Sequence, residues 1–186
     1  GEYGNDAGHV RIYDWNGTSW TQIGTDIDGE AAEDYSGESV MNAAGDRLAI
    51  GAYGNDGNGN YAGHVRIYDW NGTSWTQLGA DIDGEAAGDN SGVSVSMNAA
   101  GDRLAIGAYF NDGNGNSAGH VRIFNWNGTD WTQLGTDIDG EAAGDLCGGS
   151  VSMNAAGDRL SIGEYGNDAG HVRIYDWNGT AWTQLG

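Results

Sequence analysis

Carboxylates that recur at fixed places are the residues of this chain best suited to chemistry. The run Asp26-Ile27-Asp28-Gly29-Glu30 returns as Asp81-Ile82-Asp83-Gly84-Glu85 and as Asp137-Ile138-Asp139-Gly140-Glu141. In an extended segment, alternate side chains point the same way. With Asp34, Asp89 or Asp145 close behind, each run suits a hard cation, and calcium takes about six to eight oxygens. A second loop, Asp56-Gly57-Asn58-Gly59-Asn60 and again Asp112-Gly113-Asn114-Gly115-Asn116, follows the Asp-x-Asn-x-Asn opening of a calcium loop. Its sixth position is Tyr61 or Ser117 where such loops turn on Gly, and no Glu stands at the twelfth. Calcium is the candidate ion for both loops. Turns closed by Asp side chains on backbone amides are the alternative.

Other groups recur in the same rhythm. Tryptophans come in the pairs Trp15/Trp20, Trp70/Trp75, Trp126/Trp131 and Trp177/Trp182. Each pair brackets an Asn-Gly-Thr turn, so the rings face one another across a hairpin. Packing at a sheet edge is one use for them; stacking on sugar rings is another. The same turns place Asn16, Asn71, Asn127 and Asn178 in N-glycosylation sequons. His9, His64, His120 and His171 hold one equivalent position, one per repeat. They read as strand-start histidines bonded to a neighbouring loop. The repeated arginines read as ion-pair partners of the linker carboxylates. Cys147 stands where other copies carry Ser36 and Ser91. No nucleophile elbow or metalloprotease motif occurs, and an active site usually needs one unrepeated constellation. A non-enzymatic protein is therefore expected.

Composition narrows the class. The chain has 186 residues, 27 of them acidic and 7 basic, all Arg, for a net charge of -20. Nucleic acid and anionic membranes both need a positive footprint, so neither is an expected partner. No apolar run approaches the roughly 20 residues of a membrane-spanning helix, and no basic-then-apolar leader opens the sequence. Glycine supplies 35 residues and proline none. Eight Trp and nine Tyr give the apolar surface that a disordered acidic chain lacks.

The elements that must position these groups repeat too. Gly-His-Val-Arg-Ile begins at residues 8, 63, 119 and 170. Allowing for one missing Ser near residue 40 and a shortened loop at 165–169, the unit is about 56 residues. Each unit predicts four short strands, exemplified by Val93–Met97, Arg103–Tyr109, His120–Trp126 and Trp131–Leu134. Apolar residues fall on both parities, as Val121, Ile123, Phe124 and Trp126 do. Both faces of each sheet must then be covered by neighbours. The expected fold is all-β: about three and a half four-stranded antiparallel blades of β-propeller type. The boundaries are a half-blade at 1–24 and blades at 25–79, 80–135 and 136–186, together a segment of a longer propeller or array.

Ser91-Gly92-Val93-Ser94-Val95, then Leu104 through Tyr109, then Asn111-Asp112-Gly113, then Gly119 through Phe124 resemble an FG-GAP repeat. That is the blade of the integrin α-subunit propeller. The resemblance implies a β-propeller in a secreted or cell-surface setting, with adhesion or ligand binding through loops on one face. The family's calcium loop between the first two strands is not carried over, because Asn98 through Asp102 supplies one carboxylate. The functional expectation is a structural or adhesion module that contacts protein partners or itself. A lectin using the Trp hairpins, or a calcium-dependent binder, is the alternative.

Overall fold

The computed structural model describes residues 7–166 and 170–186, and all its regular elements are strands. Three consecutive sheets share one plan. In the first, Glu38–Met41, Arg47–Ala52, His64–Trp70 and Trp75–Gln77 pair antiparallel in chain order. Ser94–Met97, Arg103–Ala108, His120–Trp126 and Trp131–Gln133 repeat it. So do Cys147–Met153, Arg159–Glu164, His171–Trp177 and Trp182–Gln184. Ahead of them stand the two outer strands of another blade, Tyr13–Trp15 and Trp20–Gln22. The fold is a run of β-propeller blades. Each linker joins the sheet that precedes it: Ile82–Asp83 pairs with His64–Val65, and Ile138–Asp139 with His120–Val121.

The core lies between blades. Ala49, Val65, Ile67 and Ile82 of one blade pack on Val95, Met97, Leu104, Ile106 and Phe124 of the next. Ala105, Val121, Ile123 and Ile138 pack likewise on Leu160, Ile162 and Tyr175. Val10, Ile12 and Ile27 meet Leu48, Ile50 and Tyr68 at the first seam. Alternate residues of one strand therefore serve opposite seams, as Leu104 and Ala105 do. Burial of each large side chain contributes about 1.5–3 kcal/mol.

The tryptophan hairpins close the outer edge. Partner rings lie directly across the hairpin, 5.4–5.6 Å between centroids. The glycines of the four Asn-Gly turns have φ between +93 and +100°, which a residue with a Cβ rarely adopts. Trp131 Nε1 donates to Leu78 O, and Trp182 Nε1 to Leu134 O, both at 3.1 Å and both across a seam.

Close approach of backbones fixes the blade spacing. A Cβ on Gly107 would overlap the carbonyl oxygen of Gly148 in the next blade, and one on Gly51 that of Gly92. At Gly163 a Cβ meets first the Ser150 hydroxyl, which can rotate away. Gly107→Ala should therefore cost about 2–3 kcal/mol or more through overpacking. Gly163→Ala should cost well under half of that. Paired thermal melts check the contrast, and equal losses would show that the approach does not set the spacing.

Candidate functional site

The linker carboxylates separate rather than gather. Asp81 turns to His64 of its own blade, while Glu85, from the same linker, turns to His120 of the next. Among the described residues two sites of one composition result: Glu30, His64 and Asp81 at one seam, and Glu85, His120 and Asp137 at the next. Their donor atoms all lie within 4.8 Å of one another. His64 Nδ1 stands 4.0 Å from Glu30 Oε2 and 3.8 Å from Asp81 Oδ2. His120 Nδ1 stands 3.8 Å from Glu85 Oε2 and 4.0 Å from Asp137 Oδ2.

These separations are too long for hydrogen bonds. They are close to the donor spacing around a metal ion, roughly 3.4 Å for ligands about 2.1 Å from a tetrahedral centre. Glu30 and Asp81 are partly exposed and free to close the difference. Both histidines are about 1% exposed, and the Nε2 atom of each is buried without a hydrogen-bond partner. Burial, and after it the Arg66 guanidinium, holds His64 below its ordinary pKa; Asp81, Glu30 and Asp34 pull less strongly the other way. His120 is lowered by burial and Arg122 in the same manner. A neutral imidazole keeps a lone pair, which is what a metal takes.

Supporting groups orient the carboxylates. Gln77 Nε2 donates to Asp81 Oδ1 at 2.5 Å, leaving Oδ2 toward His64. Arg66 NH1 stands 3.6 Å from Glu30 Oε1, leaving Oε2 toward the same ring. Gln133 and Arg122 do the same for Asp137 and Glu85. Each acid thus commits one oxygen to a neighbour and presents the other to the histidine, the outer-shell pattern of metal sites. The sequence reading took these histidines as structural and missed the glutamines. The recurring phase of Glu, His and Asp was the available signal, but it spans two blades.

The remaining candidates are placed differently. Asp28, Asp83 and Asp139 stand opposite His9, His64 and His120 in the strand ladders. Asp26 is taken by Gln22 and Arg11. Asp34 Oδ2 accepts from the amides of Glu30 and Ala31. Asp56 and Asp112 accept from the amides of Tyr61 and Ser117. Asn58 and Asn114 donate to the carbonyls of Gly84 and Gly140, and Asn60 and Asn116 accept through their backbone carbonyls from Gly88 and Gly144. This loop therefore spends its polar groups on its own turn and the following linker. Trp70 and Trp75 lie against Gly24, Trp126 and Trp131 against Gly79, and Trp177 and Trp182 against Gly135, while Trp15 and Trp20 are exposed. Asn16, Asn71, Asn127 and Asn178 each accept, through Oδ1, from the amide two residues on.

The third seam departs from the pattern. Glu164 stands where the two preceding blades have Ala52 and Ala108, and it is buried. Its Oε1 accepts from Arg173 Nε at 2.5 Å, and its Oε2 lies 3.0 Å from His171 Nε2. Glu141 Oε2 is 3.8 Å from the same nitrogen. Cys147 lies beside this group, with Arg173 NH2 3.4 Å from Sγ. Burial, then the Glu164 carboxylate, pushes its thiol up to about 12.

No family model matches the chain, and no curated protein matches its sequence. Several solved structures share its shape, and three of them overlap it as follows. One is from Bacteroides uniformis ATCC 8492, provisionally assigned as a 6-phosphogluconolactonase: TM-score 0.67, 10% identity, covering 98% of this chain and 48% of that one. A second, from Bacteroides fragilis NCTC 9343 and assigned in the same provisional way, gives 0.58 at 12% identity, covering 83% and 39%. TolB from Acinetobacter baumannii gives 0.52 at 12%, covering 98% and 42%. The chain thus spans less than half the length of each. Identity this low carries the fold alone. It nevertheless corrects the expectation of a non-enzymatic structural or adhesion module, because two of these neighbours carry enzyme assignments on the same architecture. Repetition of residues from blade to blade does not exclude catalysis.

Cys147 should be inert in the native chain, since the thiolate is the reactive species and the side chain is fully buried. A thiol reagent at pH 8 should label it only after denaturant is added. Rapid labelling of folded protein would contradict the burial.

Proposed function

We propose that the chain is a stretch of β-propeller that binds divalent transition-metal ions at its blade seams, one at each His–Glu–Asp cluster. The observation behind this reading is the pair of buried histidines, each turning Nδ1 toward the free oxygens of two oriented carboxylates. One nitrogen and two oxygen donors suit zinc or a similar borderline ion better than calcium, which takes oxygen alone. Three protein ligands leave a position for water, the layout of hydrolytic zinc sites. A lactone is the first substrate to present, given the assignments of two structural neighbours. An FG-GAP type of blade and an extracellular setting belong to the same proposal and rest on the motif run from Ser91 to Phe124.

Calorimetric titration with zinc tests it. Wild-type protein should take two ions, Asp81→Asn one at comparable affinity, and the Asp81→Asn/Asp137→Asn pair none. Both aspartates are partly exposed, so folding is expected to survive. Uptake by the double variant equal to wild type overturns the reading.

A further inference from the structure

The second repeat breaks an ion pair that the first and third keep. Arg47 grips Asp69 through two nitrogens, Nε to Oδ1 at 2.6 Å and NH2 to Oδ2 at 2.8 Å. Arg159 grips Asp176 at the same two distances. The cross-strand partner of Arg103 is Asn125 instead. Its amide is turned aside, donating to Trp126 O at 3.1 Å. Arg103 keeps one bond, NH1 to Gly157 O at 2.7 Å, while its Nε is buried with no partner.

A guanidinium is fully charged and presents a planar fork that matches a carboxylate through two parallel bonds. In the sister repeats that carboxylate comes from the chain. Around Arg47 the place is a cleft of about 190 Å³ lined by Asn42, Asp46, Asp69 and Trp70. The equivalent residues around Arg103 are Asn98, Asp102, Asn125 and Trp126. The residue types match with one charge removed.

We propose that Arg103 is a binding site for the carboxylate of an external small molecule, held where Asp69 and Asp176 place theirs. Phosphate offers similar oxygens, but the chain carries a net charge of -20, and that field opposes a dianion more strongly than a monoanion. Trp126 is the equivalent of Trp70, which lines the Arg47 cleft, so the ligand carries an apolar or ring-bearing body beside its acid group. The site is independent of the metal clusters and stands or falls without them.

Proton–nitrogen correlation spectra of the arginine Nε–H groups test the proposal, with Arg103→Lys assigning the signal. Acetate, then phosphate, is titrated at constant ionic strength against a chloride control. The Arg103 signal should shift saturably with acetate and not with chloride. In Asn125→Asp, which restores the internal carboxylate, acetate binding should weaken at least about tenfold. In Asp69→Asn the Arg47 signal should begin to respond. No saturable shift, an unchanged response in Asn125→Asp, or a response to phosphate alone would each overturn it.

Discussion

A four-stranded sheet with apolar side chains on both faces cannot be stable in water by itself, and everything else in this chain follows from how that is resolved. Ile106 and Ala105 are sequence neighbours that point in opposite directions, and both are buried. Each needs a different neighbouring blade. The seam is therefore the unit of stability, more than the blade. This explains why glycine stands where backbones cross, since Gly107 lies against the Gly148 carbonyl. It also explains why the indole N–H of Trp131 is spent on the preceding blade. The lack of proline agrees, because strands paired on both sides have no place for a missing donor.

The seam also places the chemistry. A linker pairs with the sheet it leaves, so its first carboxylate faces that blade's histidine and its last faces the next one's. No single repeat holds a complete Glu–His–Asp set. Two blades in contact complete one, so binding there and packing of the seam become thermodynamically linked. The buried histidine favours an ion electrically as well. Desolvation keeps the ring neutral, while the carboxylates remain partly exposed and within reach.

Much of the fold was legible in the sequence because its signals are local. Alternation marked the strands, Asn-Gly marked the hairpins, and apolar residues on both parities marked the stacking. The linker was harder. Its ladder with the third strand of the preceding blade joins Ile82 to Val65, and no short-range pattern announces that pairing. The site was less legible still. Alternation within Asp81-Ile82-Asp83-Gly84-Glu85 suggested one cage per linker. The chain instead passes from one blade to the next within that segment, and its ends face different histidines. The expectation against catalysis failed for a related reason. It treated a residue repeated in every blade as structural, although a seam can carry chemistry at each recurrence.

Places where the copies differ carry information of another kind. Where all copies agree, one physical requirement is met several times, as with the glycines at blade crossings. Where one copy departs, the common requirement has been relaxed or replaced. Glu164 in place of Ala52 and Ala108 puts a buried carboxylate in the third blade, and Arg173 and His171 turn to meet it. That change is compensated in part: one carboxylate oxygen accepts from Arg173, and the other is buried without a hydrogen bond. Asn125 in place of Asp69 and Asp176 is not compensated, because the arginine opposite it keeps a buried donor without an acceptor. Leaving such a donor unmet costs about 1–3 kcal/mol, a sizeable share of a domain's net stability. In both departures a buried group is left unmet, Glu164 Oε2 in one and Arg103 Nε in the other, and each cost falls on one blade rather than on every seam.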